Sequence, residues 1–477
     1  MNSFFRKNVV IGAAELVCRL PLIFTVGVLA RSVGTEAFGN WALILVLQVF
    51  VAGMAGLGLS SALSRYVPAA PPGDAGAYLR YAFALCTAVL IAASVVIVPL
   101  HSSIGALLGV RQDLVWLVPF AVLLAAGSVA DGLLDAYFKA RMAVGRQVVF
   151  IMSRTLAEIV AVVLVFVSPI MAMRPAAQQL AAYALVVAIG KLTLYPWLVA
   201  GMPSGPRFPP LVGRQEFVRY GLPMVPTVLA LWMIGQSDRL VLSHFVSKHD
   251  LGLYAFAATF AGYIIFLGYA VYPLLLPEAS RLYDEGRAAA LQSLFNNAQA
   301  VFVPLWAGCM ACLALWSGKI IDWTGGQAFE AAAPILLILA FAVGFERLMG
   351  VYQYVFHLKK RTDLIFGLNL ANAGANIVAL VLAGRFGGIA EAAWAVLAAT
   401  IVFNLSRYAL ALRHISLRVE RTLALRVAAV ALLTFLLARL AAEEGVVFRI
   451  LLTAVTLLPL AGFSLKRRGE PLFEASK

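Results

Sequence analysis

The sequence predicts an all-α integral membrane protein of about fourteen transmembrane helices, built as two six-helix lobes followed by a C-terminal helix pair. Three observations predict it. The chain is 62% hydrophobic and 13% charged, with a mean hydropathy of +0.91. Its apolar runs are too long and too poor in charge to be buried helices of soluble domains, since about 20 apolar residues span a bilayer. Finally, a ten-residue pattern occurs twice, which points to a duplicated bundle.

The runs centre roughly on residues 8 to 30, 40 to 63, 78 to 100, 114 to 135, 148 to 168, 178 to 200, 216 to 237 and 253 to 276. They continue at 291 to 317, 332 to 356, 364 to 384, 388 to 412, 422 to 440 and 446 to 465. The repeated pattern is Val33-Gly-Thr-Glu-Ala-Phe-Gly39-Asn-Trp41-Ala42 and Val246-Ser-Lys-His-Asp-Leu-Gly252-Leu-Tyr254-Ala255, 213 residues on. Each copy joins one long apolar run to the next. A looser echo pairs Leu63-Ser-Arg65 with Ala279-Ser-Arg281. Six spans per copy is an even number, so both copies enter the membrane from the same side as parallel repeats, with a cavity expected between them.

The expected organisation is a lobe at 1–200, a cytoplasmic linker at 201–215 rich in Pro and Gly, a second lobe at 216–413 and an extra helix pair at 421–466. The first helix of each lobe carries proline: Pro21 in the first, Pro223 and Pro226 in the second. Proline removes a backbone hydrogen bond and bends a helix, so these are candidate hinges, a static kink being the alternative.

A net charge of +14 raises the question of a nucleic-acid partner. The placement of the charges answers it. With both termini in the cytoplasm, about 23 of the 37 Lys and Arg residues fall on that side, among them Arg6, Lys139, Arg141, Arg146, Lys359, Arg361, Arg413 and Lys466. The basic excess is topological, and no nucleic-acid partner is expected. The first run holds Glu15 and Arg19 and reads as an anchor that stays, not as a cleaved signal. Cys18, Cys86, Cys309 and Cys312 all fall in apolar runs, which argues against a disulfide framework, and Cys309 and Cys312 lack the further ligands of a metal site. No cofactor is expected. The phosphate-cradling loop of an ATPase is missing, so ATP is not the expected direct energy source, and carboxylates inside the apolar runs point to coupling with a proton or sodium gradient.

Charges inside apolar runs are kept only where they face a partner or a hydrated cavity. Glu15 and Arg19 are four apart on one helical face, Arg154 and Glu158 repeat the spacing with the signs reversed, and Asp131 and Asp135 share a face. Lys191, Glu346, Arg347 and Arg407 complete the set. Arg grips phosphate through a planar fork and keeps its charge when buried, so Arg19, Arg154, Lys191, Arg347 and Arg407 are candidates to line an anion-binding cavity. Glu15, Glu158, Asp131, Asp135 and Glu346 are candidates to bind the coupling ion. Neutralisation within each helix is the competing reading of the same residues.

Several motifs in order resemble the MOP superfamily, specifically its polysaccharide-translocating branch of O-antigen and exopolysaccharide flippases. They are Phe38-Gly39-Asn-Trp41, Gly56-Leu-Gly58-Leu and Ser64-Arg65-Tyr66, then Ser237-Asp238-Arg239, Leu251-Gly252-Leu-Tyr254, Pro277-Glu-Ala-Ser280-Arg281 and Gly325-Gly-Gln-Ala-Phe-Glu-Ala-Ala-Ala333-Pro. The resemblance implies two six-helix lobes forming a V around a cavity open to one side at a time. It also implies an undecaprenyl diphosphate-linked oligosaccharide as substrate, moved from the cytoplasmic to the outer leaflet of a bacterial inner membrane. A polysaccharide polymerase and chain-length machinery are the implied partners, and the helices at 421–466 would line a groove for the lipid tail. Under this reading Asp238 and Arg239 are candidates for an outer gate, an ion pair at the helix end being the alternative. A proton- or sodium-coupled drug exporter of the same fold is the alternative. An enzyme is not expected, because every outer loop is under about 20 residues and His101, His244, His249, His357 and His414 are scattered without a partner constellation.

Overall fold

The computed structural model describes residues 3–453 apart from 69, 71, 200–208, 271, 273–274, 360, 416–420, 444–448 and 450–451. Most of the linker and of the last predicted span therefore lie outside the described residues. The described residues form helices joined by short turns. Contacts divide the chain into two compact units, Met1–Ala255 and Phe256–Lys477.

In the first unit α1 (Ser3–Ala55) and α2 (Leu59–Tyr66) are followed by α3 (Pro72–Ile97), α4 (His101–Leu108), α5 (Phe120–Ala140) and α6 (Val144–Val162). Then come α7 (Pro169–Ala172), α8 (Ala176–Val199), α9 (Leu211–Gly221), α10 (Val225–Leu242) and the start of α11 (Lys248–Gly262). Helix α5 is the hub, touching α1, α2, α3, α6 and α8, while α1 also packs on α6 and α10. Small residues allow the close approaches: an added Cβ on Gly127 would lie 3.1 Å from Lys191 Cδ, and one on Gly190 would lie 3.3 Å from the Ala157 Cβ.

The second unit holds α12 (Leu275–Asp284), α13 (Ala288–Gly325), α14 (Ala332–Gly350), α15 (Gln353–Leu358), α16 (Thr362–Phe386), α17 (Ile389–Leu412) and α18 (Arg421–Glu443). Helix α14 packs on α17 and α13, α16 packs on α17, and α18 lies along α13. The α13–α18 seam is a cluster of Ala311, Ala314, Leu315 and Leu437. Predicted span thirteen is thus α18.

Among the described residues eleven helices are long and apolar enough to cross a membrane. The first two predicted spans run together as α1, which bends at Gly34, where φ is 80° and ψ 168°. Only glycine takes that backbone readily. Burial along these helices falls from 67% for Ala288–Gly325 to 17% for Asp74–Ile97. A water-soluble bundle would hide such residues as Ile91, Val95 and Val96, which here are more than half exposed. This is a surface for lipid, not for water.

The candidate hinges differ in setting. Pro21 lies inside α1. Pro223 occupies a short 3₁₀ turn between α9 and α10, and Pro226 the first turn of α10. The backbone at Gly221, Leu222, Met224 and Val225 stays right-handed helical, so span seven runs on from Gly213 to Leu242 with a 3₁₀ segment at its prolines.

Candidate functional site

Helix α5 sorts polar chemistry onto two faces of the first unit. Gly127 and Asp131, one turn apart, turn toward α8. There Lys191 Nζ donates to Asp131 Oδ2 at 2.6 Å, and the Tyr195 hydroxyl donates to the other carboxylate oxygen. Lys191 also pairs with Glu158 of α6 at 3.5 Å, and only 7% of its side chain is exposed. The missing Cβ of Gly127 leaves the space through which the lysine stem passes.

A second pair lies between α1 and α6, where an Arg154 guanidinium nitrogen donates to Glu15 Oε2 at 3.2 Å, with 15% and 14% of the two side chains exposed. The Arg154 guanidinium also sits 5.8 Å from the Phe150 ring centre. Among the described side chains the same-helix spacing of Arg154 and Glu158 is thus not what pairs the charges: Arg154 reaches across to Glu15, and Glu158 reaches across to Lys191. The Arg19 backbone is helical, while its side chain lies outside the described residues. Nor do the two aspartates of α5 act together. Asp135 holds Lys139 and Gln147, each at 2.7 Å.

In the second unit Arg407 of α17 is 2% exposed. Its guanidinium donates to Gln353 Oε1 at 3.0 Å and to Asn404 Oδ1, and lies 3.9 Å from Glu346. Glu346 also meets the neighbouring Arg347 at 3.4 Å. The Nε atoms of both arginines are buried without a hydrogen-bond partner, which is uncommon for native polar groups. Of the expected gate pair, Asp238 accepts from the Arg239 backbone amide at 2.7 Å, and Arg239 donates to Gln236 at 2.9 Å.

The other face of α5, with Ser128 and Gly132, opens on a cavity of ≈ 510 Å³ within the first unit. Gln48, Ser60 and Ser61 line it from α1 and α2, and Trp232 and Gln236 from α10. Among the described residues no charged side chain lines it. These lining residues were missed in the sequence, although Gln48 and Gln236 interrupt apolar runs as the charges do. Uncharged polar residues are cheaper to bury than ions, so they give a weaker signal.

A family model described as "Polysaccharide biosynthesis protein" matches residues 28–334. The chain belongs to that family. The match spans both units and includes Asp131, Asp135, Arg154, Glu158, Lys191, Asp238 and Arg239, but not Glu15 or Arg19. No curated protein matches this family member. Among solved structures it is similar to the lipid II flippase MurJ in an inward closed conformation, at 14% identity over 97% of this chain and 99% of that one, with a TM-score of 0.73. An inward-facing multidrug resistance MATE family transporter of the MOP superfamily gives 14% identity over 89% and 99%, with a TM-score of 0.63. A MOP superfamily transporter from Pyrococcus furiosus Vc1 gives 12% identity over 90% and 96%, with a TM-score of 0.52. At such identities the likeness is one of fold. The fold is the all-α one that these membrane proteins share.

Proposed function

We propose that this protein flips an undecaprenyl diphosphate-linked oligosaccharide from the cytoplasmic to the outer leaflet of the bacterial inner membrane by alternating access. The observation that carries the reading is the charge network of the first unit: Arg154 on Glu15, and Lys191 on Asp131 and Glu158, held inside an apolar bundle by a polysaccharide-biosynthesis family member. Arg154, Lys191, Arg347 and Arg407, with Arg19, are the groups suited to an anionic lipid-linked headgroup.

The network also supports ion coupling. Two described cations face three carboxylates, so one negative charge is in surplus unless Arg19, a proton or a sodium ion offsets it. A diphosphate that drew the Arg154 guanidinium away from Glu15 would leave that carboxylate charged in an apolar bundle. Uptake of a proton or sodium ion removes the penalty and ties headgroup binding to the gradient. Movement of the two lobes about Pro21, Pro223 and Pro226, with Asp238 and Arg239 closing the outer side, completes the proposed cycle. The oligosaccharide then passes to a polymerase and its chain-length partners.

The test is a deletion strain assayed for lipid-linked oligosaccharide trapped on the cytoplasmic face, complemented by wild type, Arg154→Ala and Arg19→Ala. Trapping that wild type relieves and the variants do not is the expected result. Relief by both variants at normal protein levels removes the arginines from the mechanism, and no trapping in the deletion turns the reading toward a drug exporter of the same fold.

A further inference from the structure

The cavity of the first unit has a chemistry the charge network does not explain. It is bounded by α1, α2, α5 and α10, and its ≈ 510 Å³ falls in the range of about 300–1,000 Å³ usual for small-molecule sites. It exists because glycine does. Gly235 of α10 has nothing within 4 Å of an added Cβ, and at Gly132 the nearest atom is Ser60 Oγ at 3.4 Å.

Six side chains set its character: Gln48, Ser60, Ser61, Ser128, Trp232 and Gln236. The Gln48 amide donates to Ser128 Oγ at 2.7 Å, which fixes the amide and turns its Oε1 acceptor toward other partners. Gln236 accepts from Arg239 at 2.9 Å through its oxygen, which leaves its amide hydrogens as donors. The Trp232 indole nitrogen donates to the Val46 carbonyl at 3.0 Å, so the tryptophan offers the cavity ring surface only. A fixed acceptor, a fixed donor, three hydroxyls and an aromatic surface match a ring that carries hydroxyls at its edge and C–H groups on its face. A phosphate would find no cation among the described lining residues: Arg154 and Lys191 are engaged with carboxylates, and Arg239, whose guanidinium is held by Gln236, does not itself line the space.

We propose that this cavity is a saccharide subsite selective for uncharged sugar units, separate from the groups that meet the diphosphate. The inference rests on the flippase reading and divides the substrate's recognition within the first unit: neutral amides, hydroxyls and Trp232 take a hexose or N-acetylhexosamine, and acidic sugars are disfavoured because a carboxylate there would be desolvated without a counter-charge.

The experiment measures tryptophan fluorescence of the purified full-length protein titrated with chitotriose, a neutral probe, and with digalacturonic acid, an acidic one. The expected result is a saturable change with chitotriose that is absent in Trp232→Phe and shifted to at least ~10-fold higher concentration in Gln48→Ala. Digalacturonic acid is expected to bind at least ~10-fold more weakly. Gly132→Ala, which has room for its methyl group, keeps the fold and narrows the cavity, so it separates lost binding from lost folding. No saturable change in wild type, an unchanged signal in Trp232→Phe, or equal binding of both probes overturns the subsite. Trapping of lipid-linked oligosaccharide in the deletion strain without chitotriose binding removes the subsite alone. Binding without trapping keeps the subsite and removes the flippase reading.

Discussion

Gly39 and Gly252, the matching glycines of the two sequence copies, lie against each other. A Cβ on Gly39 would stand 2.9 Å from the Gly252 amide nitrogen and collide with the Lys248 carbonyl oxygen, while one on Gly252 would strike the Thr35 carbonyl oxygen. Beside them Thr35 Oγ1 meets His249 Nδ1 at 2.7 Å, and the two aromatic residues of the pattern, Trp41 and Tyr254, are 2% and 0% exposed. Gly39→Ala and Gly252→Ala are therefore expected to destabilise the protein by about 1–3 kcal/mol or more, since backbone atoms cannot move aside as a side chain would. Thermal unfolding in detergent checks this, with Gly367→Ala, where an added Cβ meets nothing within 4 Å, as the control.

Lys191 holds two carboxylates from two other helices. Lys191→Met is expected to cost about 3–5 kcal/mol, because Asp131 and Glu158 are left without their cation in an apolar bundle. Adding Asp131→Asn and Glu158→Gln to it should recover much of the loss. A triple variant no more stable than Lys191→Met would show that packing of the lysine stem, not charge, is what matters there.

Arg407 is anchored by Gln353 and Asn404 through two different guanidinium nitrogens. Lysine keeps the charge but cannot reach both acceptors with a planar fork. Arg407→Lys should lower stability by about 1–3 kcal/mol. Asn404→Leu in the same background should then add little, which a double-mutant cycle on thermal unfolding will read.

Outside the spans, Asp113 is held below the usual carboxylate range by its hydrogen bonds from Arg111 at 2.7 Å. A carboxyl lowered in the folded state adds stability above its unfolded value, near pH ~3.9, and loses it as pH falls through the lower folded value. Asp113→Asn should be slightly less stable than wild type at neutral pH and indistinguishable from it in strong acid. Because the pair is exposed, high salt should shrink the difference at neutral pH, and a difference that grows on acidification would contradict the assignment.

The helical class, the order of spans three to twelve and the placement of costly charges were legible in the sequence, because each follows from local composition and period. Partners were not. Spacing within a helix suggested Arg154 with Glu158, yet the neighbours that approach α6 are α1 and α8, and they bring Glu15 and Lys191. The irregular stretch between α9 and α10 was also partly legible, since Pro223 and Pro226 mark it, although the 3₁₀ form it takes depended on the backbone around them.

The sequence by itself determined that this protein lives in a membrane, that it carries a repeated pattern at Gly39 and Gly252, and that most of the charges inside its apolar runs lie in the first half. Such properties are written residue by residue, in hydropathy and in spacing along one helix. Only the tertiary structure decided which carboxylate neutralises which cation, that the two copies of the pattern meet backbone to backbone, and that Gln48, Ser128 and Trp232 share a cavity free of charge. Those depend on helices distant in sequence coming within hydrogen-bonding range of about 3 Å, and no local period encodes which helix becomes the neighbour.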